Sequence, residues 1–117
     1  MSSPPHEELP IFTRWMDFLA WLLPVTEKFP HKARFTFANR IDNLALDLVE
    51  DLVEARYARA KHAILTRANL RLEKLRILLR LSHDLCYLSH TSYEHAIRSI
   101  HEVGLMLGGW RKQQERV

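Results

Sequence analysis

With 117 residues, a net charge of only +3, one cysteine and three glycines, the chain excludes several protein classes before any element is placed. A single domain with one core is expected, large enough to need neither disulfides nor a structural metal. Cys86 alone can form no intrachain disulfide, which suits a reducing cytosol, and no uninterrupted apolar run reaches the roughly 18 residues of a membrane span.

Hairpins have no support, because all glycines fall between 104 and 109 and no Asn-Gly or Asp-Gly pair separates alternating runs. The chain reads as all-α. Residues 1–8, with Pro4, Pro5, Glu7 and Glu8, read as a disordered lead-in rather than a signal peptide. Helix 1 is expected from Leu9 or Ile11 to Lys28, with Ile11, Trp15, Phe18, Leu19 and Leu22 on one side. Pro24 removes a backbone hydrogen bond and is expected to kink or restart it.

After a connection at 29–32, helix 2 is expected to begin between Ala33 and Thr36. Its core face is Phe37, Ile41, Leu44, Ala45, Leu48, Leu52 and Ala55, and Asn43, Asp47, Glu50, Asp51 and Glu54 form a solvated opposite side. No proline or glycine marks its end, so the turn is placed at 60–64.

Helix 3 extends to about Leu88 and is too apolar for a helix with one covered face. Leu70, Leu72, Leu75, Ile77, Leu78, Leu79, Leu81 and Leu85 leave free only a strip of Glu73, Arg76, Arg80 and Asp84. The second apolar face calls for another surface, most economically a second copy of the chain. Cys86, inside this pattern, reads as a small buried hydrophobe.

Ser89-His90 links to helix 4, whose start matches the capping box Thr91-Ser92-Tyr93-Glu94. Tyr93, Ile97, Ile100, Val103, Leu107 and Trp110 give its core stripe. Gly104 and Gly108, one turn apart, each cost about 1 kcal/mol relative to alanine and so imply a close backbone contact. The expected fold is an antiparallel up-down-up-down four-helix bundle over 9–112, with 113–117 as a frayed tail and a ring-like homo-oligomer as the assembly.

Chemistry is scarce. The seven histidines include no His-Glu-x-x-His and no Glu-x-x-His step, and His83 with Cys86 supplies only two ligands. Ser82, Ser89, Ser92 and Ser99 lack a nucleophile elbow, no phosphate loop exists, and Glu50 with Glu54 lies on a hydrophilic stripe. No catalytic residue, metal site, cofactor or small-molecule substrate is expected.

What remains is basic: Arg67, Arg71, Lys74, Arg76 and Arg80 on helix 3, Arg98 on helix 4, and Arg111, Lys112 and Arg116 at its end. Their clustering from Lys61 onward admits a nucleic-acid partner, while charge alone favours solvated faces pairing with each other. Arg76 and Arg80 fit an anion through their planar donor forks, or equally pair with Glu73 and Asp84 at helical spacing.

Three stretches carry a resemblance: Trp21-Leu22-Leu23-Pro24 followed by Glu27-Lys28-Phe29-Pro30, then Leu75-Arg76-Ile77-Leu78-Leu79-Arg80, then Glu102 to Trp110 with its Gly104-x-x-x-Gly108-x-Trp110 spacing. In this order they resemble the accessory variability determinant (Avd) proteins of diversity-generating retroelements. Those belong to a wider four-helix-bundle family that includes proteins encoded by 23S ribosomal RNA intervening sequences. The resemblance implies a non-enzymatic, basic, barrel-shaped homopentamer that associates with the retroelement reverse transcriptase and template RNA and supports mutagenic cDNA synthesis. It makes Arg76 and Arg80 the first candidates for partner contact, and Pro24, Gly104, Gly108 and Trp110 structural. The alternative is a self-assembling bundle of the intervening-sequence type without nucleic-acid contact.

Overall fold

The computed structural model describes residues 9–115. Among them are four α-helices and no strand: α1 (Pro10–Glu27), α2 (Asn39–Tyr57), α3 (His62–Asp84) and α4 (His90–Glu115). The expected lead-in at 1–8, together with Arg116 and Val117, lies outside the described residues. Helix α4 continues through Glu115, past the boundary expected at 112.

Pro10 occupies the first turn of α1, where its missing N–H has no helical partner to lose. Helix α1 does not restart at Pro24 but runs one further turn to Glu27. So near the end only one hydrogen bond is forfeited, and the buried side chains of Leu22 and Thr26 hold the turn in place. The Thr26 hydroxyl lies 2.7 Å from Asp42 Oδ1 and 3.1 Å from the Leu23 carbonyl oxygen, and its single proton serves one of them. Burial raises the Asp42 carboxyl above its ordinary range, and the Thr26 contact partly opposes that.

The connection to α2 is itself helical: a 3₁₀ turn at His31–Ala33, then a π-helical turn at Arg34–Ala38. Helix α2 ends without glycine or proline because Lys61 caps it. Its ammonium donates to the carbonyls of Ala55 at 2.6 Å, Ala58 at 2.7 Å and Arg56 at 3.1 Å, using all three of its protons. The turn therefore falls at 58–61, earlier than the 60–64 expected.

Helix α3 stops at Asp84, four residues before the expected end. Leu85 is its C-cap, and Cys86 follows at φ 63° in the left-handed region. The Cys86 N–H donates to the His83 carbonyl at 3.0 Å and the Tyr87 N–H to that of Ser82 at 2.8 Å, the two bonds of a Schellman termination. Cys86 is thus exposed in a position suited to glycine, not buried within a helix as expected. The cap of α4 also shifts: Ser89 Oγ accepts the Ser92 N–H at 3.1 Å, in place of the Thr91–Glu94 box.

Each helix packs on the next, and α1 closes against α4. Trp15, Leu22, Ile41, Leu48, Leu52, Leu65, Leu72, Leu75, Leu79, Ile100, Val103 and Leu107 are fully buried between them. Trp15 Nε1 donates to the Ala45 carbonyl at 2.9 Å, which fixes α1 against α2 inside the core. Phe37 and Leu44 of the expected core face of α2 reach only its margin.

Cys86 tests the description of the α3 terminus. An L-residue in the left-handed region costs about 1–2 kcal/mol that glycine avoids. Cys86→Gly is expected to raise the unfolding free energy by about 1 kcal/mol in urea titrations, and a loss of stability would show that the thiol contributes packing at this turn.

Candidate nucleic-acid and partner interface

The acidic side of α2 contains one residue that is not solvated. Asp51 is 2% exposed and stands one turn from Leu48 and Ala55, at the edge of the core stripe. Two arginines of α3, themselves one turn apart, reach it. Arg71 Nη1 donates to both Asp51 oxygens at 2.5 Å, and Arg67 Nε donates to Oδ1 at 3.0 Å. Arg67 also donates to Glu54 Oε1 at 2.9 Å, and Asp47 lies 4.0 Å from Arg71 Nε. The hydrogen bonds it donates to Asp51 and then to Glu54 hold the Arg67 guanidinium above its ordinary pKa. Arg67 and Arg71 therefore join α2 to α3, and their charge is largely neutralised where they sit.

The other basic residues stand differently. Arg76 is half-buried, with Nη2 3.5 Å from Glu73 Oε2, and its buried Nε has no hydrogen-bond partner. Arg80 is exposed and makes no ion pair among the described residues. Asp84, the partner that helical spacing offers Arg80 on one of the two readings, instead lies 3.6 Å from His83. Arg98 is exposed and shares with Arg76 an open cavity of about 350 Å³, also lined by Tyr93, Glu94, Ile97 and His101. Sequence reading missed the part played here by Tyr93 and His101. The signal available was the spacing of Glu94, Arg98 and His101 at steps of four and three along one line of α4.

Lys74 is on the other flank of α3, in a groove of about 490 Å³ with Arg40, Asn43, Leu44, Asp47, Ile77 and Leu78. Between the flanks runs an exposed apolar strip of Leu70 (55%), Ile77 (59%), Leu81 and Leu85. Arg111 and Lys112 lie far along α4; Arg111 is half-buried with an unpartnered Nε, and Lys112 is exposed. The structure thus gathers Arg76 and Arg98 at one cavity with Arg80 a turn further along α3, and leaves Lys74, Arg111 and Lys112 apart from them.

Within the chain the glycines of α4 do not mark a tight approach. A Cβ on Gly104 would meet Leu72 Cδ2 at 3.6 Å, an ordinary contact, and one on Gly108 would meet nothing within 4 Å. Trp110 is half-buried beside a cavity lined by Leu9, Pro10, Ile11 and Met106. Several histidines are not lone surface groups. His83 Nε2 lies 3.2 Å from His90 Nδ1 and its ring stacks on Tyr93, with centroids 4.5 Å apart, while His95 sits 4.3 Å from Trp21. Among the described residues no group of three or more His, Cys, Asp or Glu is placed to hold a metal ion, and no helix is long and apolar enough to cross a membrane.

A family model described as bAvd-like matches residues 10–114, which spans all four helices. No curated protein matches the chain.

The arginine clamp has a measurable strength. A fully buried pair broken from one side loses about 3–5 kcal/mol, and the two guanidiniums here keep some contact with water. Asp51→Ala is expected to lower the unfolding free energy by about 2 kcal/mol in denaturant titrations; a change near zero would remove Asp51 from the joint between α2 and α3.

Proposed function

Because the chain belongs to the bAvd-like family, we propose that it is the accessory protein of a diversity-generating retroelement, binding the element's reverse transcriptase and template RNA and supporting mutagenic cDNA synthesis without a reaction of its own. Arg80 carries the reading: an exposed cation without an ion pair among the described residues, one turn from Arg76 and beside an apolar strip. The half-buried Arg76 and the nearby exposed Arg98, which line one cavity, extend the basic surface onto α4. An arginine fork with open donors suits phosphate and carboxylate alike, which is the chemistry of an RNA backbone and of an acidic patch on a protein.

The links at 58–61 and 85–89 are short, which favours antiparallel neighbours and an up-down-up-down bundle. We assign the strip Leu70, Ile77, Leu81 and Leu85 to self-assembly into a homopentameric ring, where repetition of Arg76 and Arg80 concentrates positive charge. The work belongs to the cytoplasm. A second reading, self-assembly without nucleic-acid contact, draws support from the neutralisation of Arg67 and Arg71 by Asp51 and Glu54.

The two readings separate in one experiment. With Arg76→Glu/Arg80→Glu, affinity for template RNA is expected to fall, and the slope of log affinity against log salt to become shallower by about one to two. Capture of the reverse transcriptase should fall as well. RNA binding that is absent or indifferent to salt, with capture unchanged in the variant, would overturn the assignment and leave the second reading.

A further inference from the structure

Between Lys28 and Arg40 the chain carries four fixed cations, Lys28, Lys32, Arg34 and Arg40, and no acid. All four are exposed. Arg34 donates to the Glu27 carbonyl at 3.2 Å and so closes the end of α1, while Lys28, Lys32 and Arg40 make no ion pair among the described residues. In their midst Phe35 is 80% exposed.

That exposure follows from the local backbone. Phe35 and Phe37 both lie in the π-helical turn Arg34–Ala38, whose wider winding changes which residues face the bundle. Phe37 packs edge-on to Tyr87, with centroids 5.5 Å apart, at the margin of the core. Phe35 is left outside, with the His31 ring edge-on to it at 6.4 Å. A phenyl ring held in water contributes nothing to the core, and π-helical turns concentrate at functional sites.

We propose that Phe35 is a stacking platform for an unpaired nucleobase, with Lys28, Lys32 and Arg40 neutralising the phosphates that flank it. The ligand class is single-stranded nucleic acid. A flat ring accepts any base, and exposed cations that precede and follow it in the chain suit a backbone without reading sequence. A protein partner fits less well, because Phe35 is the only large apolar side chain exposed in this stretch and lacks the surrounding apolar contacts of a protein hot spot. The proposal rests on the reading that the chain contacts nucleic acid, and it adds a surface outside the α3 and α4 arginines.

Fluorescence anisotropy of the full chain with a labelled ten-nucleotide oligouridine, and with an abasic strand of the same length, tests it. Phe35→Ala is expected to weaken oligouridine binding about tenfold, to leave the abasic strand and the salt slope unchanged, and to be rescued by Phe35→Trp. Lys28→Gln/Lys32→Gln/Arg40→Gln should weaken both strands and make the salt slope shallower by about two. If Phe35→Ala binds oligouridine like the wild type while Arg76→Glu/Arg80→Glu does not, the platform is overturned and the arginine surface stands. If the wild type binds neither strand, the platform is overturned, and the arginine surface is decided separately by template RNA and capture of the reverse transcriptase. Loss of reverse-transcriptase capture with oligouridine binding intact in Phe35→Ala would make the patch a protein contact and overturn the proposal.

Discussion

The carboxylate of Asp51 governs both how the bundle holds together and which surface it offers. A buried carboxylate is costly unless its oxygens are matched by donors, and here two guanidiniums of α3 converge on it. The contact sets the rotation of α3 against α2. With Arg67 and Arg71 turned toward α2, Leu72, Leu75 and Leu79 face the core, while Leu70, Ile77 and Leu81 face outward. The same contact divides the basic residues into a neutralised pair and an open set on the other flank of the helix.

Much of this was legible in the sequence. Helical spacing identified all four helices, and the stripes Ile41, Ala45, Leu48, Leu52, Ala55 and Ile100, Val103, Leu107 lie where the periodicity puts them. The family resemblance carried by Pro24, Arg76, Arg80, Gly104, Gly108 and Trp110 agrees with the match over residues 10–114. Asp51 was misread because a helix taken alone assigns an acid to the solvated side by type. Its spacing of three from Leu48 and four from Ala55, with Arg67 and Arg71 spaced to meet it, becomes meaningful only once α2 and α3 are paired. Helix ends were the weakest point for a similar reason. The Lys61 cap and the left-handed Cys86 act through side-chain and backbone geometry that residue type does not announce. The exposure of Phe35 depends on a π-helical turn that no residue there signals.

Helix α3 can be understood as three faces. One is core. A second, carrying Arg67 and Arg71, is fixed to α2. On the proposed reading the third joins chain to chain through Leu70, Ile77, Leu81 and Leu85, and presents Arg76 and Arg80 beside that junction. Ring symmetry would then make the modest net charge of +3 per chain into a dense positive surface, as the proposed contact with a polyanion requires. Phe35 and its cations, on the segment between α1 and α2, would give a single strand a second point of contact, outside the arginine surface.

The proposed assembly and its concentrated positive surface depend on the outer strip of α3 being covered by other copies, and the native mass in solution tests that most directly. Multi-angle light scattering of the full chain is expected to return a mass near five times the 13.8 kDa of one chain, and Ile77→Glu/Leu81→Glu is expected to return a single folded chain. A wild-type protein that remains at 13.8 kDa across the accessible concentration range would contradict the account.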